Sequence, residues 1–221
     1  MLVESQSLYE YASRHVEDIT AGVIAHAQVV LISMTIATVV GVTLGLAVHR
    51  NRRATDLALA VCGIFLTIPS LALFALLIPV LGLGYAPTVC ALVLYALLPI
   101  VRNTIAGLES VDPAIMESAR GMGLGTRQRL WRIQLPLAWP VMLTGIRVST
   151  VVIVGIAAIA AGVVNGPGLG DFIFGGLSHI GSVFALNEAL VGVIGVAAIA
   201  LVFDSLFVLL GRLTTSRGIR G

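Results

Sequence analysis

Residues 111–140 read VDPAIMESARGMGLGTRQRLWRIQLPLAWP, a polar interruption with a long apolar segment on either side. Asp112 followed by Pro113 marks a helix start, because the carboxylate can accept from free amides and the proline ring suits the first helical position. That helix is expected to reach about Met122. Gly123, Leu124 and Gly125 then supply a backbone able to turn sharply, Thr126 can cap a second short helix, and Pro136 marks where that helix must end or bend. Ile115, Ala119 and Met122 share one face of the first helix, and Leu130 and Ile133 one face of the second. Arg120, Arg127, Arg129 and Arg132 are left for water or acidic partners. Helix, glycine turn and helix together make a loop with an apolar face and a basic rim.

Outward from this loop the chain is apolar. Of its 221 residues 58% are hydrophobic and 11% charged, and the mean hydropathy of +1.04 lies far outside the range of soluble domains, so an all-α integral membrane protein in contact with the lipid bilayer is expected. The net charge of +2 is too small to imply nucleic acid as a partner. All thirteen basic residues are Arg. Without Lys the chain has no ordinary phosphate-binding P-loop and cannot be its own ATPase; no enzyme activity and no cofactor are expected. Cys62 and Cys90 lie inside apolar segments, which points to no disulfide and no metal site.

Residues 1–20 are polar and acidic. They lack the basic start and short apolar run of a cleaved signal, so a retained N-terminal tail is expected, with Tyr9 and Tyr11 able to rest on the membrane interface. Five spans follow, at about 21–48, 54–81, 88–108, 137–164 and 188–210, separated by short turns and by the loop 109–136. In the first span Gly41 and Gly45, one turn apart, permit close helix approach, and His26 reads as a hydrogen-bonded structural residue. The second carries Thr67, Pro69 and Ser70 midway, a kink whose freed carbonyls nearby hydroxyls can satisfy. Pro69 and Ser70, with Tyr95 and Asn103 of the third span, are candidates for lining a translocation path, and packing is the competing role for the kink. Gly155, Ala158 and Gly162 form a small-residue face on the fourth span. A helix break at 165–171 precedes an outer segment with a short helix capped by Asp171, and Gly192 and Gly195 mark the packing side of the fifth span.

The arginines set the topology. With the N-terminus outside, eleven of the thirteen (50, 52, 53, 102, 120, 127, 129, 132, 212, 217 and 220) fall on the cytoplasmic side, which places the loop and the tail 212–221 in the cytoplasm of a cell carrying this chain in its inner membrane. Arg147 lies within the fourth span and Asp204 within the fifth. Helical rise puts both roughly 12 to 15 Å deep. Isolated charges at such depth are costly, so an Arg147–Asp204 contact is expected, serving either as a gate or as a static tie.

Glu117, Ser118 and Ala119, then Gly123 after three residues, then Ile133, Leu135 and Pro136 after nine more, resemble the "EAA" loop of the permease subunits of ABC importers; Ser118 stands where Ala is usual. The resemblance implies a five-helix type I importer permease core whose loop is a coupling helix seated in a cytoplasmic ABC ATPase subunit, with Glu117, Ala119 and Gly123 at the centre of the docking. It also implies a second copy or a sister permease across a two-fold axis, an external solute-binding protein, and ATP bound by the partner. TIPSLALFALLIPVLGLGYAP (67–87), LYALLPIVRNTIAGL (94–108) and GPGLGDFIF (166–174) are similar to the permeases of osmoprotectant importers, for glycine betaine, choline, carnitine or proline. The alternative within the class is an importer of amino acids, methionine or another small solute. An ion-coupled carrier would have only Arg147 and Asp204 to work with. For a membrane enzyme, His15, His26, His49 and His179 are scattered over both sides.

Overall fold

A computed structural model describes residues 7–214; the start of the N-terminal tail and the arginines at 217 and 220 lie outside the described residues. Every regular element among the described residues is helical: α1 (Leu8–Arg14), α2 (Val16–Val48), α3 (Arg52–Thr67), α4 (Ser70–Leu81), α5 (Tyr85–Glu109), α6 (Pro113–Gly121), α7 (Thr126–Arg129), a π-helical turn (Leu130–Gln134), α8 (Leu135–Val164), α9 (Gly170–Ser178) and α10 (Ala185–Thr214). Among the described residues four stretches are each long and apolar enough to cross a membrane: α2, α5, the run Thr126–Val164 and α10. The fifth crossing would be the pair α3 and α4, bent by 99°.

That bend has a local cause. Pro69 pushes the residue before it out of the helical region, and Ile68 is extended at φ −75°, ψ 125°. The freed Ile68 carbonyl accepts from the Tyr95 hydroxyl at 2.7 Å. Thr67 serves the same break, its hydroxyl donating to the Ile64 carbonyl in the last turn of α3 at 2.7 Å.

α5 is the hub. It lies against α2 where Gly41 and Gly45 leave no room for side chains: an added Cβ would sit 2.7 Å from Ile100 and 2.7 Å from Thr104. On its other flank α8 approaches as closely, and a Cβ on Gly145 would meet the Pro99 carbonyl at 2.7 Å. Phe74, Leu92, Ile100, Ile153, Val154 and Val29 are fully buried in the shared core. Polar ties to backbone carbonyls cross the bundle: Ser149 donates to Ala96 at 3.0 Å, and the buried His26 ring pairs through Nε2 with Val154 at 3.1 Å. Gly192 is flush with Leu169 and Ile173, and Gly195 with Leu169, so both pack as expected.

Some local expectations are corrected. α2 begins at Val16, inside the stretch expected to be tail, because Glu17 and Asp18 suit a first helical turn. Tyr11 does not rest on an interface; it is buried and stacks on His15 at 4.3 Å, and burial, with Glu188 and Asp18 nearby, pushes its phenol up. Asp171 is not a cap, since α9 starts two residues earlier than that cap requires, with Leu169 at the N-cap. Gly155 has nothing within 4 Å of its missing side chain, so the small-residue face of α8 packs at Ala158 and Gly162 and opens at Gly155.

Candidate functional site: the loop and the intramembrane pair

The loop 109–136 is built from short-range rules. Asp112 accepts from the Ala114 amide at 2.8 Å with Pro113 in the first turn of α6. The C-terminus closes as a Schellman turn: Leu124 N–H donates to Ala119 O, Gly123 N–H to Arg120 O, and Gly123 takes φ +81°. The second helix starts one residue earlier than expected, with Gly125 at the N-cap, its amide donating to Gln128 Oε1 at 3.0 Å; Thr126 is not the cap.

Pro136 does not end that helix. The π-helical turn, closed by Leu135 N–H to Leu130 O, carries α7 directly into α8. Proline at 136 has no N–H to give and its ring would crowd the carbonyl four residues back; the wider turn lies where that carbonyl is. Two hydrogen bonds moor the base of this rod. Gln134 Nε2 donates to Leu108 O at 3.1 Å, and Trp139 Nε1 to the Thr214 hydroxyl at 2.8 Å, tying α8 to the ends of α5 and α10.

The faces of the loop differ from the sequence pattern in one respect. Ala119 is fully buried within this chain, whereas Ile115 at 42%, Met122 at 71% and Trp131 at 60% exposure face outward with Glu117 and Ser118. Ala119 therefore fixes α6 from behind and is not itself available to a partner. Ser118 bonds back to Ala114 O. Ile133 and Leu135 are half-buried, and Pro136 is exposed. Between α6, α7 and the end of α2 lies an open cleft of about 500 Å³, lined by His49, Arg50, Glu117, Arg120, Arg129 and Gln134. Arg129 Nε is buried there with no partner among the described residues.

Arg147 and Asp204 meet side-on, Nε to Oδ1 at 2.5 Å and Nη2 to Oδ2 at 2.7 Å. Of the four residues singled out for a path, Pro69, Ser70 and Tyr95 meet at the break between α3 and α4, and Asn103 lies apart where α5 packs on α8. Tyr95 is buried and spent on the Ile68 carbonyl. Asn103 is half-buried, bonds Pro99 O and packs on Gly145. Pro69 and Ser70 form the break itself. A groove between α8 and α10, of about 430 Å³ and lined only by apolar residues from α8, α9 and α10, escapes the sequence pattern. Its one sequence signal is Gly155, which the small-residue spacing assigns to packing.

Fold and site together define a membrane-embedded helical subunit with an arginine-rich end from which a moored, two-helix loop projects. The profile described as "Binding-protein-dependent transport system inner membrane component" matches residues 37–216, and the chain belongs to that family; it is an inner-membrane transport permease, not an enzyme. Among curated relatives it is 34% identical over 196 residues to the glycine betaine/carnitine/choline transport system permease protein OpuCB of Bacillus subtilis, covering 89% of this chain and 88% of the relative. It is 38% identical over 200 residues to the osmoprotectant import permease protein OsmW of Salmonella typhimurium, covering 88% and 91%. The fold matches an inward-facing structure of the MetNI methionine ABC transporter with TM-score 0.78 at 20% identity, over 90% of this chain and 96% of that one. It also matches an amino acid ABC transporter crystallised with histidines, with TM-score 0.75 at 19% identity, over 96% and 99%.

Proposed function

We propose that this chain is the translocation subunit of an ATP-driven importer of compatible solutes: glycine betaine, choline, carnitine or proline. The observation that carries the importer role is the loop 109–136, a rigid two-helix unit moored to α5 and α10 that presents Ile115, Glu117, Ser118, Met122 and Trp131 outward. A cytoplasmic ABC ATPase, which binds the ATP, seats this unit. The cleft beside Arg129 accepts an acidic or carbonyl group from that partner. A second permease, identical or a sister chain, completes the path, and an external binding protein delivers the solute. The gathering of His49, Arg50, Arg52, Arg102 and Arg120 at one end of the bundle supports a cytoplasmic C-terminus and an external N-terminus. The solute group rests on the names of relatives 34–38% identical to this chain.

The test is uptake of labelled glycine betaine at high osmolarity in cells lacking other osmoprotectant uptake, expressing the ATPase and binding protein encoded nearby, with and without this chain. Uptake that requires the chain and is competed by choline or carnitine is the expected result. Absent uptake from an assembled complex discards the solute group and retains the importer role. Gly123→Arg tests the docking. Gly123 takes φ +81°, so an arginine there strains the turn as well as crowding the partner, and Met122→Arg at the neighbouring exposed position separates the two effects; membrane insertion should persist in both while uptake falls to background, and unchanged uptake in Met122→Arg counts against the loop as the coupling surface.

A further inference from the structure

The apolar groove between α8 and α10 ends on charge. Val151, four residues after Arg147, and Ala200, four residues before Asp204, both line it; Arg147 and Asp204 do not line it themselves, and their ion pair lies one helical turn, roughly 6 Å, beyond that end. The groove continues past Gly155, whose missing side chain leaves it open, to Phe174 at its other end. The volume of about 430 Å³ is that of a small-molecule site.

The pair is also incompletely covered. The side chains of Arg147 and Asp204 remain 42% and 33% exposed, although each lies at least ten residues, roughly 15 Å, from the nearer end of its helix. Charges exposed at that depth to hydrocarbon are disfavoured, so the face they share with the groove meets either water or another molecule. The guanidinium uses only Nε and Nη2 on Asp204; its Nη1 N–H groups have no partner among the described residues. A carboxylate can therefore bind Arg147 without displacing Asp204, and the outer lone pairs of Asp204 face any cation alongside.

We infer that the end of the α8/α10 groove nearest the ion pair is a solute subsite for a small zwitterion, with the carboxylate of the solute on Arg147, its cationic group beside Asp204, and its carbon skeleton against Val151 and Ala200. This rests on the importer role proposed above and adds to it a ranking of solutes: glycine betaine and proline carry both charges and engage both residues, whereas choline has no carboxylate and engages one.

Single cysteines at Val151 (V151C) and Ala200 (A200C), in a chain with Cys62 and Cys90 changed to Ala, are treated with a membrane-impermeant sulfonated thiol reagent in the complete membrane-embedded complex. Should the cysteine-free background fail to assemble, labelling above that of the wild-type chain is read instead. Both positions should label, and glycine betaine or proline should slow labelling about tenfold at ten times its Kd, choline much less. With Arg147→Gln and Asp204→Asn together, the protection should vanish. Absent labelling means that lipid or a partner helix fills the groove, and overturns the inference. So does labelling that no zwitterion slows, or equal protection by choline. If the complex transports no osmoprotectant yet methionine protects, the subsite stands and the osmoprotectant reading falls.

Discussion

α5 and α10 are both long apolar helices, yet one is far more enclosed than the other: 44% of the apolar window of α5 is buried, against 6% for α10. α5 is fixed by shape. Gly41, Gly45, Gly107 and Gly145 on α5 and its neighbours leave seats that no larger residue fits. α10 is fixed at points: Gly192 and Gly195 on Leu169, Asp204 on Arg147, Thr214 on Trp139. In lipid, where apolar surface need not be hidden, close backbone approach and a few polar ties do the holding. Of these two helices, α10 is the one left available to a partner or a solute.

Breaking the shape side of this contrast should have the largest effect. Gly145→Leu places carbon where Asn103 Cβ would be 2.5 Å away, and on the order of 3 kcal/mol of stability should be lost, seen as a fall in folded protein on thermal melting of the purified complex. Ala198→Leu on the exposed face of α10 should change the same melt little; equal losses would dissolve the distinction. Next is Tyr95→Phe, which leaves the Ile68 carbonyl without its donor and should cost about 1 to 3 kcal/mol. Smaller again, Arg147→Gln or Asp204→Asn alone should each lower the melting temperature more than the two together, because a single change strands one charge while the pair of changes strands none. A double variant worse than either single one would refute the tie. Smallest is Trp139→Phe, which removes one exposed hydrogen bond to Thr214 and should cost roughly 0.5 kcal/mol.

Features governed by neighbours along the chain are legible in the sequence itself. Asp112–Pro113 starts a helix, Gly123 turns it, and Pro69 breaks one, because capping, left-handed φ and a missing N–H act within a few residues. The contact between Arg147 and Asp204 is legible for another reason: few charges lie inside the spans, and equal depth narrows the choice. Ala119 is misassigned by pattern because helical period tells which residues share a face and not whether the chain itself covers that face. His26, Ser149 and Gln134 cannot be paired from sequence because their partners are backbone carbonyls, which every residue carries. The continuation through Pro136 is hidden for the same reason, since a π-helical turn is a rearrangement of the backbone with no residue signature.

That turn makes one continuous helical strut of 39 residues from Thr126 to Val164, roughly 58 Å long. Pivoted near its moorings at Gln134 and Trp139, such a strut is a lever with a short arm in the loop and a long arm reaching Asn165. A push of about 2 Å on the short arm, which spans roughly 15 Å, would swing the far tip by roughly 5 to 6 Å. A small movement of whatever grips the loop is thereby magnified at the opposite mouth of the protein.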